Sequence, residues 1–142
     1  MNFASLRRML RSLSWRPPPR SPHLRLGRQG EREAARFLRR RSLRIVERNY
    51  RCPVGEIDLI AVDGDTLVFV EVKTRRSDRW QDPVDTVTAV KWSKVERAAR
   101  YYLAGRRESD RPYRFDMVTV VWPSRGRPII EHLEDAFVPR SG

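Results

Sequence analysis

Apolar and polar positions in this chain follow two periods in turn. From Leu24 to Arg41 the period is helical: Glu31, Ala34, Ala35 and Leu38 share one face, and Arg32, Arg36, Arg39 and Arg40 fall largely elsewhere. Three strand-like runs follow, Leu43 to Arg51, Gly55 to Val62 and Leu67 to Lys73, the last two joined through Asp63, Gly64 and Asp65. They read as a meander. Asp82 and Pro83 make an N-cap and first-turn pair, after which Val84, Val87, Lys91, Val95, Ala98 and Tyr102 keep helical spacing until Gly105. A β-rich run from Phe115 to Trp122 ends at Pro123, and a shorter one spans Pro128 to Leu133. The order αβββαββ predicts an α/β domain with a mixed central β-sheet flanked by helices.

Ahead of that domain the pattern changes. Residues 1 to 30 hold Arg7, Arg8, Arg11, Arg16, Arg20, Arg25 and Arg28 and no acid. Phe3, Leu6, Leu10 and Leu13 give a short basic amphipathic stretch before the break at Pro17, Pro18 and Pro19. The expected division is a basic, flexible arm over 1–22 and a domain over 23–142. Three readings fit the arm: a tail that touches nucleic acid, an organelle-targeting peptide, or an unselected extension. It lacks the apolar stretch of a secretory signal.

Composition narrows the class. A length of 142 residues suits one domain, and 39% hydrophobic with 34% charged residues suits a core under a charged surface. Thirty Lys and Arg against 18 acids leave a formal charge of +12, which makes a polyanion the natural partner. One cysteine, Cys52, excludes an internal disulfide, and with His23 and His132 it cannot furnish a four-ligand zinc site. No run approaches the roughly 18 apolar residues of a membrane span. A cytoplasmic location follows as the expectation.

The candidate chemistry lies in GEIDLI (55–60) and FVEVK (69–73), where charges interrupt strongly apolar strands. A four-residue loop, Asp63 to Thr66, opposes Val62 to Leu67, Ile60 to Phe69, Asp58 to Glu71 and Glu56 to Lys73. Glu56, Asp58, Glu71 and Lys73 then share one face, and Ile57, Leu59, Val68, Val70 and Val72 line the other. Opposed carboxylates need a cation, a proton or a lysine between them, and oxygen-only ligands suit magnesium or manganese. Such an ion can polarise a phosphodiester, with Lys73 placed to orient the nucleophile or stabilise developing charge. The plainer reading is a Glu56–Lys73 cross-strand salt bridge beside a surface acidic patch.

Other residues are open to two readings as well. Glu31 lies on the apolar side of the first helix, to serve a buried polar site or to complement the helix N-terminus. Lys91 interrupts the Val87, Val95 and Ala98 stripe, beside a phosphate or merely snorkelling. Glu56 and Lys91 are therefore auxiliary candidates. Asp116 in RFDMV (114–118) fits a hydrogen-bonding role within the sheet better than a place in the acidic site. Cys52, His23 and His132 have no nucleophile or triad context.

GRQGEREAARFL (27–38), NYRCPVGEIDLIA (49–61), LVFVEVKTR (67–75), the helix with Lys91, RFDMV and a closing DAF (135–137) together resemble the YraN family. The resemblance covers about Leu26 to Val138 and implies a restriction-endonuclease-like fold. The first three blocks are also similar to archaeal Holliday-junction resolvases, in which a helix Glu, a strand Asp and a Glu-x-Lys pair bind metal and cut DNA. Residue by residue this implies Glu31, Asp58 and Glu71 as metal ligands and, with Lys73, as the catalytic set of a magnesium-dependent endonuclease of the PD-(D/E)XK type. Ile57 stands where that superfamily often has Pro, and TRRSDRWQDPVD (74–85) lacks the Phe-Gly usual in YraN relatives. The expected substrate is DNA, with branched or repair intermediates and a two-fold dimer in view. The alternative is a nucleic-acid-binding protein that keeps the scaffold without cleavage, within a repair or recombination complex.

Overall fold

The computed structural model describes residues 22–77 and 89–139. Helix α1 (Pro22–Arg40) leads into β1 (Arg44–Cys52), β2 (Gly55–Asp63) and β3 (Thr66–Arg76); helix α2 (Ala89–Gly105) then leads into β4 (Tyr113–Trp122) and β5 (Ile129–Phe137). The five strands lie in the order β1-β2-β3-β4-β5. Every neighbouring pair is antiparallel except β3–β4, which is parallel and needs the crossover that α2 provides. The sheet is therefore mixed, as αβββαββ predicts. The arm over 1–22 lies outside the described residues except for Pro22, as do Asp82, Pro83, Val84 and Val87 at the expected start of the second helix.

Each helix covers one sheet face. Ala34, Ala35 and Leu38 of α1 pack on Leu59, Ala61, Val68, Val70, Val118 and Val120. Trp92, Val95, Ala98, Ala99, Tyr102 and Leu103 of α2 pack on Ile57, Ile60, Val62, Leu67, Phe69 and Phe115. Large side chains such as Phe69 and Phe115, fully buried with ring centroids 5.6 Å apart, each contribute about 1.5–3 kcal/mol by leaving water.

Strand register sets the rest. Val62 opposes Leu67 and Ile60 opposes Phe69, as expected, and one more pair, Asp63 with Thr66, tightens the turn to Gly64 and Asp65. Gly64 takes φ 60°, a conformation that glycine adopts without steric penalty. One expectation fails: strict alternation puts Ile57 with Leu59 on the α1 face, yet Ile57 packs in the α2 cluster. Across from this step, between the pairs Arg48–Leu59 and Tyr50–Ile57, Asn49 takes φ 50°. The β1–β2 register continues through it, and period-two alternation of the side chains is lost at this step. β5 also runs four residues beyond Leu133, interrupted by a bulge where Asp135 takes φ 50°.

Candidate active site

Topology gathers the chemistry at one end of the sheet. β1 ends there, β2 begins there, β3 and β4 end there, and both helices start there. Gly30 lets α1 approach: a β-carbon at this position would lie 1.8 Å from Thr74 Oγ1 of β3. The next residue is Glu31.

Asp58 and Glu71 stand where the β2–β3 ladder opens. The last backbone pair is Leu59 with Val70. Beyond it, the Val72 N–H donates to Asp58 Oδ2 at 2.8 Å, so a side chain takes the place of a strand partner. Glu71 is 6% exposed; Lys91 Nζ approaches its Oε1 at 3.4 Å, and Oε2 is buried without a hydrogen-bond partner. Burial first, and then the charge of Asp58, push Glu71 up to about 8. Burial also raises Asp58, against the opposing pull of the Val72 N–H and Lys91. Glu31 is raised by burial and by Asp58, with the Asn49 side chain pulling it down through a hydrogen bond. Lys91 is raised because Glu71 and Asp58 outweigh the desolvation that would lower it.

The structure thus brings Glu31, Asp58, Glu71 and Lys91 into one electrostatic cluster. It does not close them into a ligand cage: no group of three His, Cys, Asp or Glu side chains among the described residues converges closely enough to hold a metal. Two carboxylates remain, which suffices for an ion that keeps most of its waters. Lys73 is half-buried, in register with Thr119 of β4. The expected Glu56–Lys73 pair is replaced by one across β1–β2, Glu56 Oε2 to Arg51 Nε at 3.6 Å, because the β2–β3 ladder has already ended. Lys91, an interruption in an apolar stripe by sequence, supplies the ammonium that touches the carboxylates.

Asp116 is structural. It is fully buried, with Arg114 Nε 3.0 Å from Oδ1, His132 Nε2 2.7 Å from Oδ2, and the Asp135 N–H on Oδ1 at 3.1 Å. These donors outweigh desolvation and hold its carboxyl below the usual range. They also pin the β5 bulge. Asn49 and the Gly30–Thr74 contact went unread in the sequence; the one signal was an asparagine, a residue tolerant of positive φ, in a strand.

Around the cluster the rim is cationic. Arg28 and Arg32 of α1, Arg51 of β1, Arg75 and Arg76 of β3, Lys94 of α2, and Arg125 and Arg127 of the β4–β5 turn are all exposed at this end. At the opposite end, by contrast, arginines meet acids: Arg114 with Asp63 at 2.9 Å and Arg111 with Glu108 at 3.3 Å. No helix among the described residues is long and apolar enough to cross a membrane.

Comparison with known proteins agrees with the resemblance read from the motifs. A family model described as "Uncharacterised protein family UPF0102" matches residues 30–120. A UPF0102 protein of Geotalea uraniireducens is 45% identical over 122 residues, spanning 86% of this chain and 96% of the relative. UPF0102 protein NE0711 of Nitrosomonas europaea is 47% identical over 78% of this chain and 92% of its own length. A UPF0102 protein of Nocardia farcinica is 47% identical over 79% and 88%. The match takes in Glu31, Asp58, Glu71, Lys73 and Lys91, and the chain belongs to the UPF0102, or YraN, family.

Proposed function

We propose that this chain is a divalent-metal-dependent nuclease that hydrolyses phosphodiester bonds in DNA, branched or repair intermediates among its substrates. The observation that carries the reading is the pairing of half-buried Asp58 with buried Glu71 at the open end of the β2–β3 ladder, inside a cationic rim. Structural carboxylates in a sheet end up saturated with donors, as Asp116 is. Glu71 keeps an oxygen with no partner.

Magnesium or manganese fits that donor set; Asp58 and Glu71 would hold it, and Glu31 would complete or tune its shell. When bound, such an ion supplies Lewis acidity toward a phosphate oxygen and toward water. The chain's own residues do the rest. The Val72 N–H fixes Asp58 before any ligand arrives. Lys91, 3.4 Å from Glu71, eases the loss of its proton when a cation binds. Lys73 donates to developing negative charge, and the exposed arginines hold flanking phosphates. A two-fold pair of copies would suit a branched substrate.

A second reading, nucleic-acid binding without cleavage, draws on two observations: Lys91 already lies against Glu71, and three carboxylates do not converge. A cleavage panel of branched, duplex and single-stranded DNA and RNA, with Mg²⁺, Mn²⁺ or EDTA, separates the two. The nuclease reading expects metal-dependent cutting that Asp58→Ala and Glu71→Ala abolish. Failure of the wild type to cut any substrate with either metal sinks it in favour of the binder.

A further inference from the structure

Beside the carboxylates, set into the cationic rim, lies an open cavity of about 450 Å³. It is walled on one side by the β1–β2 turn and on the other by the first turns of α2. Its polar lining comes from Arg51, Glu56, Lys91 and Lys94, three cations against one acid, and its apolar lining from Cys52 and Pro53 over the buried Val95. The walls are held in fixed relation, because a β-carbon on Gly55 would lie 2.9 Å from the carbonyl oxygen of Lys94. Lys91 connects the cavity to the site, since the same ammonium lies 3.4 Å from Glu71.

We propose that this cavity seats one unpaired nucleotide of a single-stranded DNA, its phosphate on Lys94 with Arg51 beside it and its sugar and base against the Cys52 and Pro53 wall. This deepens the nuclease reading and rests on its nucleic-acid half. The volume lies within the roughly 300–1,000 Å³ of pockets that enclose small ligands. A duplex presents its phosphates on a broad convex surface, so only a nucleotide that has left the stack enters a recess of this size. Glu56, the one acid of the lining, lies 3.6 Å from Arg51, which offsets its charge and leaves Lys94 as the phosphate's main cation. The position beside Lys91 directs the nucleotide's neighbouring linkage toward Asp58 and Glu71.

The test uses the full chain in EDTA, with a labelled oligothymidylate and a blunt duplex of equal length followed by fluorescence anisotropy. Lys94→Glu should weaken oligothymidylate binding about tenfold, a change of about 1.4 kcal/mol, and duplex binding, which meets Lys94 only as one cation of the rim, about threefold or less. Lys94→Ala should remove about 0.7 from the single-strand log–log salt slope. Cys52, the only cysteine of the chain, gives a local readout: oligothymidylate should slow its alkylation and the duplex should not. Equal weakening of both ligands by Lys94→Glu, or an alkylation rate indifferent to oligothymidylate, overturns the single-strand seat while leaving a nucleic-acid function standing. Absence of binding to either polymer overturns both.

Discussion

The Val72 N–H donates to Asp58 Oδ2 at 2.8 Å, one step past the last backbone pair of β2 and β3. This bond separates two duties of one carboxylate, holding the strand end and binding a cation. Asp58→Asn keeps an acceptor for Val72 and loses the charge. It should change stability by about 1 kcal/mol or less, the scale of a retained hydrogen bond. In wild type, Mn²⁺ at a hundredfold its Kd should stabilise the fold by about 2.7 kcal/mol relative to EDTA, and in Asp58→Asn by almost nothing. Thermal unfolding measures both; equal Tm values for wild type in Mn²⁺ and EDTA would refute the site.

Glu71 makes stability depend on pH in an unusual direction. The folded carboxyl keeps its proton to about pH 8, whereas the unfolded one, at its ordinary 4.5, has already lost it. Between those values the unfolded chain binds fewer protons, so stability falls as pH rises through the window and levels off above it. Glu71→Gln, neutral throughout, should flatten that slope and be the more stable protein at pH 8.5 in EDTA. Urea denaturation at pH 5, 6.5 and 8.5 decides; parallel pH profiles for the two proteins would contradict the raised value.

On activity, Glu71→Ala should abolish cleavage and leave DNA binding unchanged or tighter, since negative charge facing phosphate has gone. Lys73→Ala should keep the metal-dependent rise in Tm and lose rate on the order of 10²-fold or more. Lys91→Ala should move the rising limb of the pH–rate profile upward, because this cation lowers Glu71. An unmoved limb would assign Lys91 to packing.

Asp116→Asn should cost about 1.5–3 kcal/mol by weakening the charge-assisted hydrogen bonds that Arg114 and His132 make to a buried carboxylate, Arg114 keeping its pair with Asp63. The native carboxyl lies below its ordinary 3.8, so its contribution is present above that value and lost as pH falls through the lowered one. Wild type should therefore lose much of its advantage over the variant in strong acid. A constant difference down to pH 2 would speak against the buried pair.

Gly30→Ala should drive α1 away from β3, because the added carbon would lie 1.8 Å from Thr74 Oγ1 and 2.9 Å from its Cβ. Destabilisation of about 1–3 kcal/mol is expected, as for other overpacked contacts, with Thr74→Ala in the same chain restoring part of it. Strict additivity of the two changes would show that they do not meet.

Much of this was legible in the chain. The Asp63–Thr66 turn fixed the β2–β3 register, and with it the opposition of Asp58 and Glu71, because period-two alternation leaves no freedom once a hairpin closes. Ala34, Ala35 and Leu38 identified the buried face of α1 for the same kind of reason. Alternation misled at Ile57, which lies on the other face opposite a β1 stretch where Asn49 takes a positive φ. The Glu56–Lys73 pair failed because register says nothing about where two strands part. The length of β5 was hidden by its charges and its bulge; only the buried Asp116 explains why EHLEDAF stays in a sheet.

The parallel β3–β4 pairing carries a consequence for the order of assembly. Asp58 and Glu71 both come from the β2–β3 hairpin, whose contacts are short-range and close early. Lys91 belongs to the crossover, which is secured only when β4 docks alongside β3. The acidic half of the site is therefore in place before the cation that neutralises it. Substitutions in the Gly64–Asp65 turn should slow folding, whereas Lys91→Ala should act on the unfolding rate alone.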